Sequence, residues 1–299
     1  MLTKASGRRL HTGPDLVIRE VACRGHGAAS GWLCGGATPS LVLVRRGAFV
    51  LQTWDSPQAR ADDGAEYVAD PCTALILWDH ALHRVHHPCD DGDESLVIDL
   101  GAHIAADRLR GLCRQRDVAL PLSPRLQMAI AVFAAGVRCR TVSSVAQAAV
   151  ALVDAILDAA RTASQLAARS KRRTAAAGPA RHLALAAIAQ IHSDLSTNRS
   201  IADLADSIGC SPFHLMHAFR AAVGDTVRAY RLRARLGAAL HRLAQGHDDL
   251  SALAIELGFA SHSHFTDTFA RALGVSPSRL RAQLQEPGDP RPRPPRVDA

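Results

Sequence analysis

Two stretches in the second half of this 299-residue chain repeat one another, and the repeat restricts the folds that the chain can adopt. They are RSIADLADSIGCSPFHLMHAFRAAVG (199–224) and DLSALAIELGFASHSHFTDTFARALG (249–274). Leu204 recurs as Leu253, 49 positions later, whereas Phe219 recurs as Phe269, 50 positions later. The one-residue difference falls between the two halves of each unit, where a turn is expected. The repeat therefore predicts one supersecondary unit that is used twice.

Each unit has the residues of a helix, a tight turn and a second helix. Leu204 and Ile208 are four positions apart, as on one face of a helix, and Gly209 suits the left-handed residue that ends it. Ser211 and Pro212 are typical of the cap and first turn of a following helix. The same logic assigns the turn and cap of the second unit, and the inward side chains of both units, to Leu215, Phe219, Gly258, Phe259, Ser261, Phe265 and Phe269. This pattern indicates two helix-turn-helix units.

The outward faces of the two second helices are the candidate DNA-reading surfaces. The first turns of such a helix reach base edges in the major groove, while capping serines and flanking arginines hold phosphates. The candidates in the first unit are Ser211, Phe213, His214, Met216, His217 and Arg220. Those in the second unit are Ser261, His262, Ser263, His264, Thr266, Asp267 and Arg271.

The segment between the units, VRAYRLRARLGAALHRLAQG (227–246), predicts one long helix. Its apolar face consists of Val227, Tyr230, Ala234, Leu236, Leu240 and Leu243, with five arginines lying largely elsewhere. A rigid helix here would hold the two units at a fixed separation. Two recognition helices need such spacing to enter major-groove segments about 34 Å apart on one face of DNA.

These features together resemble the DNA-binding domain of the AraC/XylS family of transcription regulators, over residues 183–281. The most family-like segment is LAIELGFASHSHFTDTFARALGVSPS. The resemblance implies base-reading roles for Phe213, Met216, His217, His262, Ser263, His264 and Asp267. Apolar Phe213 and Met216 would read thymine methyl groups or DNA shape. Asp267 stands where the family commonly has a basic residue, and would either accept from cytosine N4 or orient a neighbouring arginine.

The N-terminal part is rich in short apolar runs that predict strands between residues 15 and 100. LVLVRRGAFVLQTW (41–54) is typical of a hairpin around Arg45-Arg46-Gly47. An alanine-rich region from about 124 to 168 predicts two helices with a break near Arg140, which either complete this domain or form a dimer seam. Placed before the helix-turn-helix repeat, this part resembles the cupin-like sensing and dimerisation domain of the same family.

The expected fold class is therefore α+β, with a cupin-like β-barrel and helical hairpin followed by an all-α domain. We expect an effector-sensing and dimerisation domain over 1–168, a linker over 169–180 and the DNA-binding domain over 181–285. The two units within that domain span about 199–224 and 249–274. The proline-rich tail, 286–299, is expected to be disordered.

A histidine-rich segment of the N-terminal part raises the question of a metal. His80, His83, His86 and Cys89 are its candidate ligands, with His87, Cys72 and Asp79 nearby, but the H-x-H pattern of cupin metal sites is absent. We expect these histidines to lie in a loop between strands, and we predict no metal and no cofactor. Cys23 with His26 is a further possible donor pair.

Composition agrees with a DNA-binding protein without proving one. The formal net charge is +7, and all 14 basic residues in 181–299 are arginine, against 11 acidic residues. Seven scattered cysteines without a C-x-x-C pair, and the absence of a long apolar run or signal peptide, predict a cytoplasmic protein with reduced thiols and no membrane partner.

The sequence thus predicts a transcriptional regulator that binds promoter DNA and is not an enzyme. Its expected partners are double-stranded promoter DNA, RNA polymerase, a small-molecule effector and a second copy of itself. Two alternatives remain open: a metal-dependent cupin enzyme fused to a helical module, and a metal- or thiol-sensing regulator.

Overall fold

The computed structural model describes residues 5–24, 33–34, 36–54, 65–80, 82–87, 92–110, 112, 119–169 and 179–285. The described residues form a sheet-rich N-terminal part and a helical C-terminal part, which confirms the predicted α+β class. None of the helices in these ranges is both long enough and apolar enough to span a bilayer.

Within the described ranges of the N-terminal part, ten strands form two sheets. The larger sheet has the order β1-β2-β9-β4-β7-β10 and the smaller one the order β3-β8-β5-β6. The strands of the larger sheet are β1 Ala5–Thr12, β2 Leu16–Cys23, β4 Ser40–Gly47, β7 Thr73–Leu77, β9 Asp93–Leu100 and β10 Ala119–Pro121. The strands of the smaller sheet are β3 Leu33–Cys34, β5 Phe49–Trp54, β6 Ala65–Ala69 and β8 Leu82–His86. Strand β1, which begins before the predicted β-rich region, was not expected from the sequence.

The predicted hairpin around Arg45-Arg46-Gly47 is wrong. Strand β4 pairs with β7 and β9, whereas β5 pairs with β6 and β8 in the other sheet. The chain changes sheets after Gly47, whose φ is +76°. Leu43 and Leu51 are both fully buried, and two sheets that pack face to face bury both apolar runs together.

Ten helices lie in the described residues. They are α1 Ala102–Arg108, α2 Pro124–Cys139, α3 Val145–Arg169, α4 Pro179–Ser193, α5 Ile201–Ile208, α6 Pro212–Val223, α7 Val227–Ala244, α8 Leu250–Glu256, α9 His262–Leu273 and α10 Pro277–Gln285. The predicted break near Arg140 is confirmed, because this residue ends α2 in the left-handed conformation at φ 56°. Most of the predicted linker, and the predicted tail, lie outside the described residues, so the domain boundaries stay a prediction.

Helix α2 joins the two parts of the protein. It packs on α7 and α9, and its Ala131 and Ala135 belong to the apolar core that contains Phe265 and Phe269. The two predicted helices after the sheets therefore have different surroundings: α3 packs on α2 and β10, whereas α2 also contacts the helical C-terminal part. The structure thus shows intramolecular packing for this helix pair.

Candidate nucleic-acid interface

The first helix-turn-helix unit consists of α5 and α6, and local interactions define its ends. Ser200 and Asp203 form a capping box at the start of α5, and Gly209 ends that helix at φ +78°. The Ser211 hydroxyl then accepts from the backbone N–H of His214 and caps α6. These contacts confirm the predicted turn and cap.

The second unit consists of α8 and α9 and has the same construction. Asp249 caps α8, Gly258 makes the turn at φ +72°, and the Ser261 hydroxyl accepts from the backbone N–H of His264. Phe265 and Phe269 are fully buried, and Phe259 is 4% exposed. The predicted phenylalanine core is therefore confirmed.

Of the thirteen candidate residues, His214 is exposed and Thr266 is half-buried, and the other eleven all lie on exposed faces of these two units. They are Ser211, Phe213, Met216, His217, Arg220, Ser261, His262, Ser263, His264, Asp267 and Arg271. Phe213 is 68% exposed and Met216 48%, although apolar side chains of this size are usually buried in a folded protein. Both of these apolar side chains lie on the exposed face of α6.

The two histidines of α9 have modest intramolecular contacts. His262 Nε2 lies 3.4 Å from the Thr266 hydroxyl, and the ring of His264 packs at 5.6 Å on Phe259. The backbone N–H of Ala260 also donates to His264 Nδ1 at 3.4 Å. These contacts hold both rings near the start of α9, where an exposed imidazole can donate to or accept from a base edge.

One residue that holds the two units together was missed from the sequence. Arg235 of α7 was predicted to lie away from the apolar face, but it is only 8% exposed. Its guanidinium donates to the carbonyl oxygens of Leu195 and Gly258 at 2.9 and 3.0 Å and to Asn198 Oδ1 at 2.9 Å. Burial lowers its pKa. No sequence pattern marked this arginine, because its acceptors are mostly backbone carbonyls.

The connecting helix α7 also contacts the N-terminal part through buried polar groups. The hydroxyl of Tyr230 and Nε2 of His192 both meet the carboxylate of Asp70, which is fully buried. Nearby, the Gln127 amide donates to the carbonyl oxygen of Pro71 and, over a longer distance, to that of Arg233 in α7. Polar groups buried in this way need their partners, so they restrict how the two parts can move.

A second contact of α7 with the sheets involves His241. Its Nε2 lies 3.6 Å from Glu94 Oε2 of β9, but it has no hydrogen-bond partner among the described residues. Burial, followed by the charges of Arg45 and the other arginines around it, lowers the pKa of His241 to about 3. Burial and these arginines outweigh the nearby carboxylate, so the ring is neutral at pH 7.

The histidine-rich segment is not the predicted loop. His83 and His86 lie in strand β8, and His80 lies in the turn before it at φ 55°. Alternating residues of a strand point to opposite faces, so this spacing does not bring the three predicted histidines together. Cys89 and His26 lie outside the described residues. The one group of potential metal ligands in the described ranges is instead Cys23, His87 and Asp93.

Comparison with known proteins identifies the helical part. A family model described as a helix-turn-helix domain matches residues 204–283. The chain is 36% identical over 106 residues to the uncharacterized HTH-type transcriptional regulator YidL of Escherichia coli, and 32% identical over 105 residues to a putative AraC-like transcription regulator of Streptomyces lividans. Each match covers 35% of this chain, and 36% and 34% respectively of those relatives, so the chain matches about a third of their length.

A solved AraC-type DNA-binding-domain protein of Chromobacterium violaceum is 26% identical, with a TM-score of 0.34. That match covers 36% of this chain and 96% of the other. The family and sequence matches confirm the prediction of an AraC-type helix-turn-helix domain in the C-terminal region.

Proposed function

We propose that this protein is a sequence-specific transcriptional regulator that binds promoter DNA through α6 and α9. The observation that carries the proposal is the pair of matched helices, each capped by a serine and each exposing its first turns. Base edges are read by Phe213, Met216 and His217 in one unit and by His262, Ser263, His264 and Asp267 in the other. Ser211, Arg220, Ser261 and Arg271 hold the phosphate backbone.

The connection between the two units supports simultaneous binding of both recognition helices to successive major-groove segments. Helix α7 runs between the units, and Arg235 ties the segment before α5 to the turn of the second unit. A rigid connection lowers the entropy cost of placing the second helix once the first is bound.

The N-terminal part receives the controlling signal in this proposal. Asp70 and Glu94 of this part reach Tyr230 and His241 of α7, so a change in the sheets acts on the helix that spaces the recognition units. By the resemblance, the regulator acts in the cytoplasm as a homodimer, contacts RNA polymerase and responds to a small effector. The domain boundaries proposed from the sequence, 1–168, 169–180 and 181–285, describe this division of roles.

The test begins with the full chain and a pool of random duplexes, from which the bound sequences are selected. The selected duplex should bind more tightly than a scrambled one, and its affinity should fall steeply as salt rises. Equal affinity for both duplexes at every salt concentration would contradict the proposal.

Two variants then test the assigned surface. His262→Ala and Phe213→Ala should each lower the discrimination between selected and scrambled duplexes by about 5- to 100-fold, the range for one good base contact. Val132→Ala, at a 45% exposed apolar site on α2, is the matched control and should leave binding unchanged. All three should keep the wild-type melting temperature, because the side chains are exposed.

A further inference from the structure

Three side chains of different ligand types converge between the two sheets. Cys23 is the last residue of β2, Asp93 is the first residue of β9, and the two are cross-strand partners. His87 follows the end of β8 in the other sheet. One donor atom from each side chain lies within 4.8 Å of the other two.

The imidazole and the carboxylate of this cluster are held in position. His87 is 4% exposed and Asp93 5%, and His87 Nε2 lies 2.7 Å from Asp93 Oδ1. The Ser95 hydroxyl donates to Asp93 Oδ2 at 2.6 Å, which orients the carboxylate from the side away from the imidazole. Ligating carboxylates in metal sites commonly have such a supporting hydrogen bond.

The backbone next to Asp93 is also constrained. Gly47 of β4 pairs with Asp93 and has a φ of +76°. A Cβ atom at Gly47 would overlap the carbonyl oxygen of Gly92, so the glycine permits a close approach that no other residue allows. The start of β9 is therefore placed by β2 on one side and by β4 on the other.

We propose that Cys23, His87 and Asp93 bind a divalent transition metal, with zinc as the best fit. Thiolate, imidazole and carboxylate are the three ligand types of protein zinc sites, and as ligands of a bound metal they supply a total charge of −2. Tetrahedral zinc holds such ligand atoms about 3.4 Å apart, so His87 and Asp93 need to separate by under about 1 Å. Half-buried Cys23 provides access from solvent, and the fourth position takes water.

This site differs from the one weighed in the sequence. It uses none of His80, His83, His86 and Cys89, and it departs from the expectation that no metal is bound. A hydrogen-bonded His87–Asp93 pair would account for those two residues alone. That pair does not explain why the Cys23 thiol lies beside the two residues, whereas a bound metal would use all three side chains.

The position of the site gives it a consequence for regulation, which rests on the proposed function. Glu94 follows Asp93 in β9, forms an ion pair with Arg46 at 3.1 Å, and reaches His241 of α7 at 3.6 Å. Metal binding separates Asp93 from His87, and so acts on the neighbouring Glu94 carboxylate, which contacts the helix between the recognition units. The metal is then the signal, or part of it.

The test uses the untagged full chain, kept reduced and stripped with a chelator, and titrated with Co²⁺ as the probe. We expect one equivalent to bind with a sulfur-to-cobalt charge-transfer band in the near ultraviolet, and Zn²⁺ to displace it. Cys23→Ser should abolish the band, and Asp93→Asn should weaken binding at least 10-fold. Cys139→Ser, at an exposed cysteine of α2, is the matched control and should retain the band.

Two results would overturn the metal site: no stoichiometric binding by the wild type, or an unchanged band in Cys23→Ser. Cys23 is half-buried and at a strand end, so its serine variant is expected to fold, which circular dichroism checks. Asp93→Asn serves as the second variant, because its amide can keep the Ser95 contact.

DNA binding measured on the same samples separates this proposal from the proposed function. Binding of the selected duplex without any metal binding would reject the metal site and support the proposed DNA-binding function. Metal binding without DNA binding would support the metal site and reject the DNA-binding function. If both occur, zinc should change the DNA affinity at least about 5-fold, and Cys23→Ser should remove that change. Equal affinity with and without zinc would reject the signalling role.

Discussion

Replacing Arg235 should destabilise the helical part and separate its two units. Its guanidinium makes four hydrogen bonds: to the carbonyl oxygens of Leu195, Thr197 and Gly258, and to Asn198 Oδ1. Three of these partners belong to the segment before α5 and the fourth to the turn between α8 and α9. One side chain therefore joins the first unit to the second.

The structure allows the size of the effect to be worked out. A hydrogen bond from a charged donor contributes about 1.5–3 kcal/mol, but the four are not additive, and part of the gain offsets the desolvation of the guanidinium. When the arginine is lost, the Gly258 carbonyl oxygen still accepts a hydrogen bond from the side-chain amide of Asn198, at 3.1 Å. We therefore expect Arg235→Met to lower the free energy of unfolding by about 3–5 kcal/mol. Arg235→Lys, which keeps the charge but has no planar fork, should cost about 1–3 kcal/mol.

Urea unfolding of the full chain, followed by circular dichroism, measures these differences. Arg228→Met is the matched control, because Arg228 lies on the same helix and is exposed, so its replacement should change stability by less than about 0.5 kcal/mol. An Arg235→Met protein as stable as the Arg228→Met protein would refute the reasoning. The Arg235→Lys change should weaken binding more for a duplex that carries both major-groove segments of the selected sequence than for a duplex that carries only one of them.

Two further predictions concern the turn of the second unit and a buried histidine. Gly258→Ala should lower the free energy of unfolding by more than about 3 kcal/mol, because the added Cβ would overlap the carbonyl oxygen of Ser196. Gly209→Ala, which has open space around it, should lower it by about 1–2 kcal/mol. Similar melting temperatures for the two variants would contradict this. His241, with its pKa lowered to about 3, stays neutral in the folded protein while the unfolded chain takes up a proton below about pH 6.5. Stability should therefore fall as pH decreases from 6.5, and by pH 5 the wild type should have lost about 2 kcal/mol more than His241→Asn in urea unfolding. Equal losses in the two proteins would show that His241 does not titrate in this way.

The helix-turn-helix units could be predicted from the sequence because their determinants are local. Leu215 and Phe219 are four positions apart, as are Phe265 and Phe269, which follows the period of a helix, and all four are buried. Caps and left-handed glycines act within a few residues of the chain. Once the inward faces are known, the exposed faces of α6 and α9 follow from helix geometry alone.

The sheet pairing could not be predicted in the same way. The runs before and after Gly47 are both apolar and separated by a turn-forming glycine, which is typical of a hairpin. Their partners β7, β9, β6 and β8 lie farther along the chain, and only the packing of two sheets selects them. An apolar run indicates burial but carries no information about its neighbour.

By itself the sequence determined the repeated helical unit, its core and its exposed faces, since each depends on residues a few positions apart. Only the tertiary structure decided that Arg235 is buried against distant carbonyls, and that Cys23, His87 and Asp93 meet between two sheets. Those three residues come from three different strand ends, up to 70 positions apart, and no periodicity relates them. Contacts of that kind form when the whole chain packs, so they are set by the fold and not by any one segment.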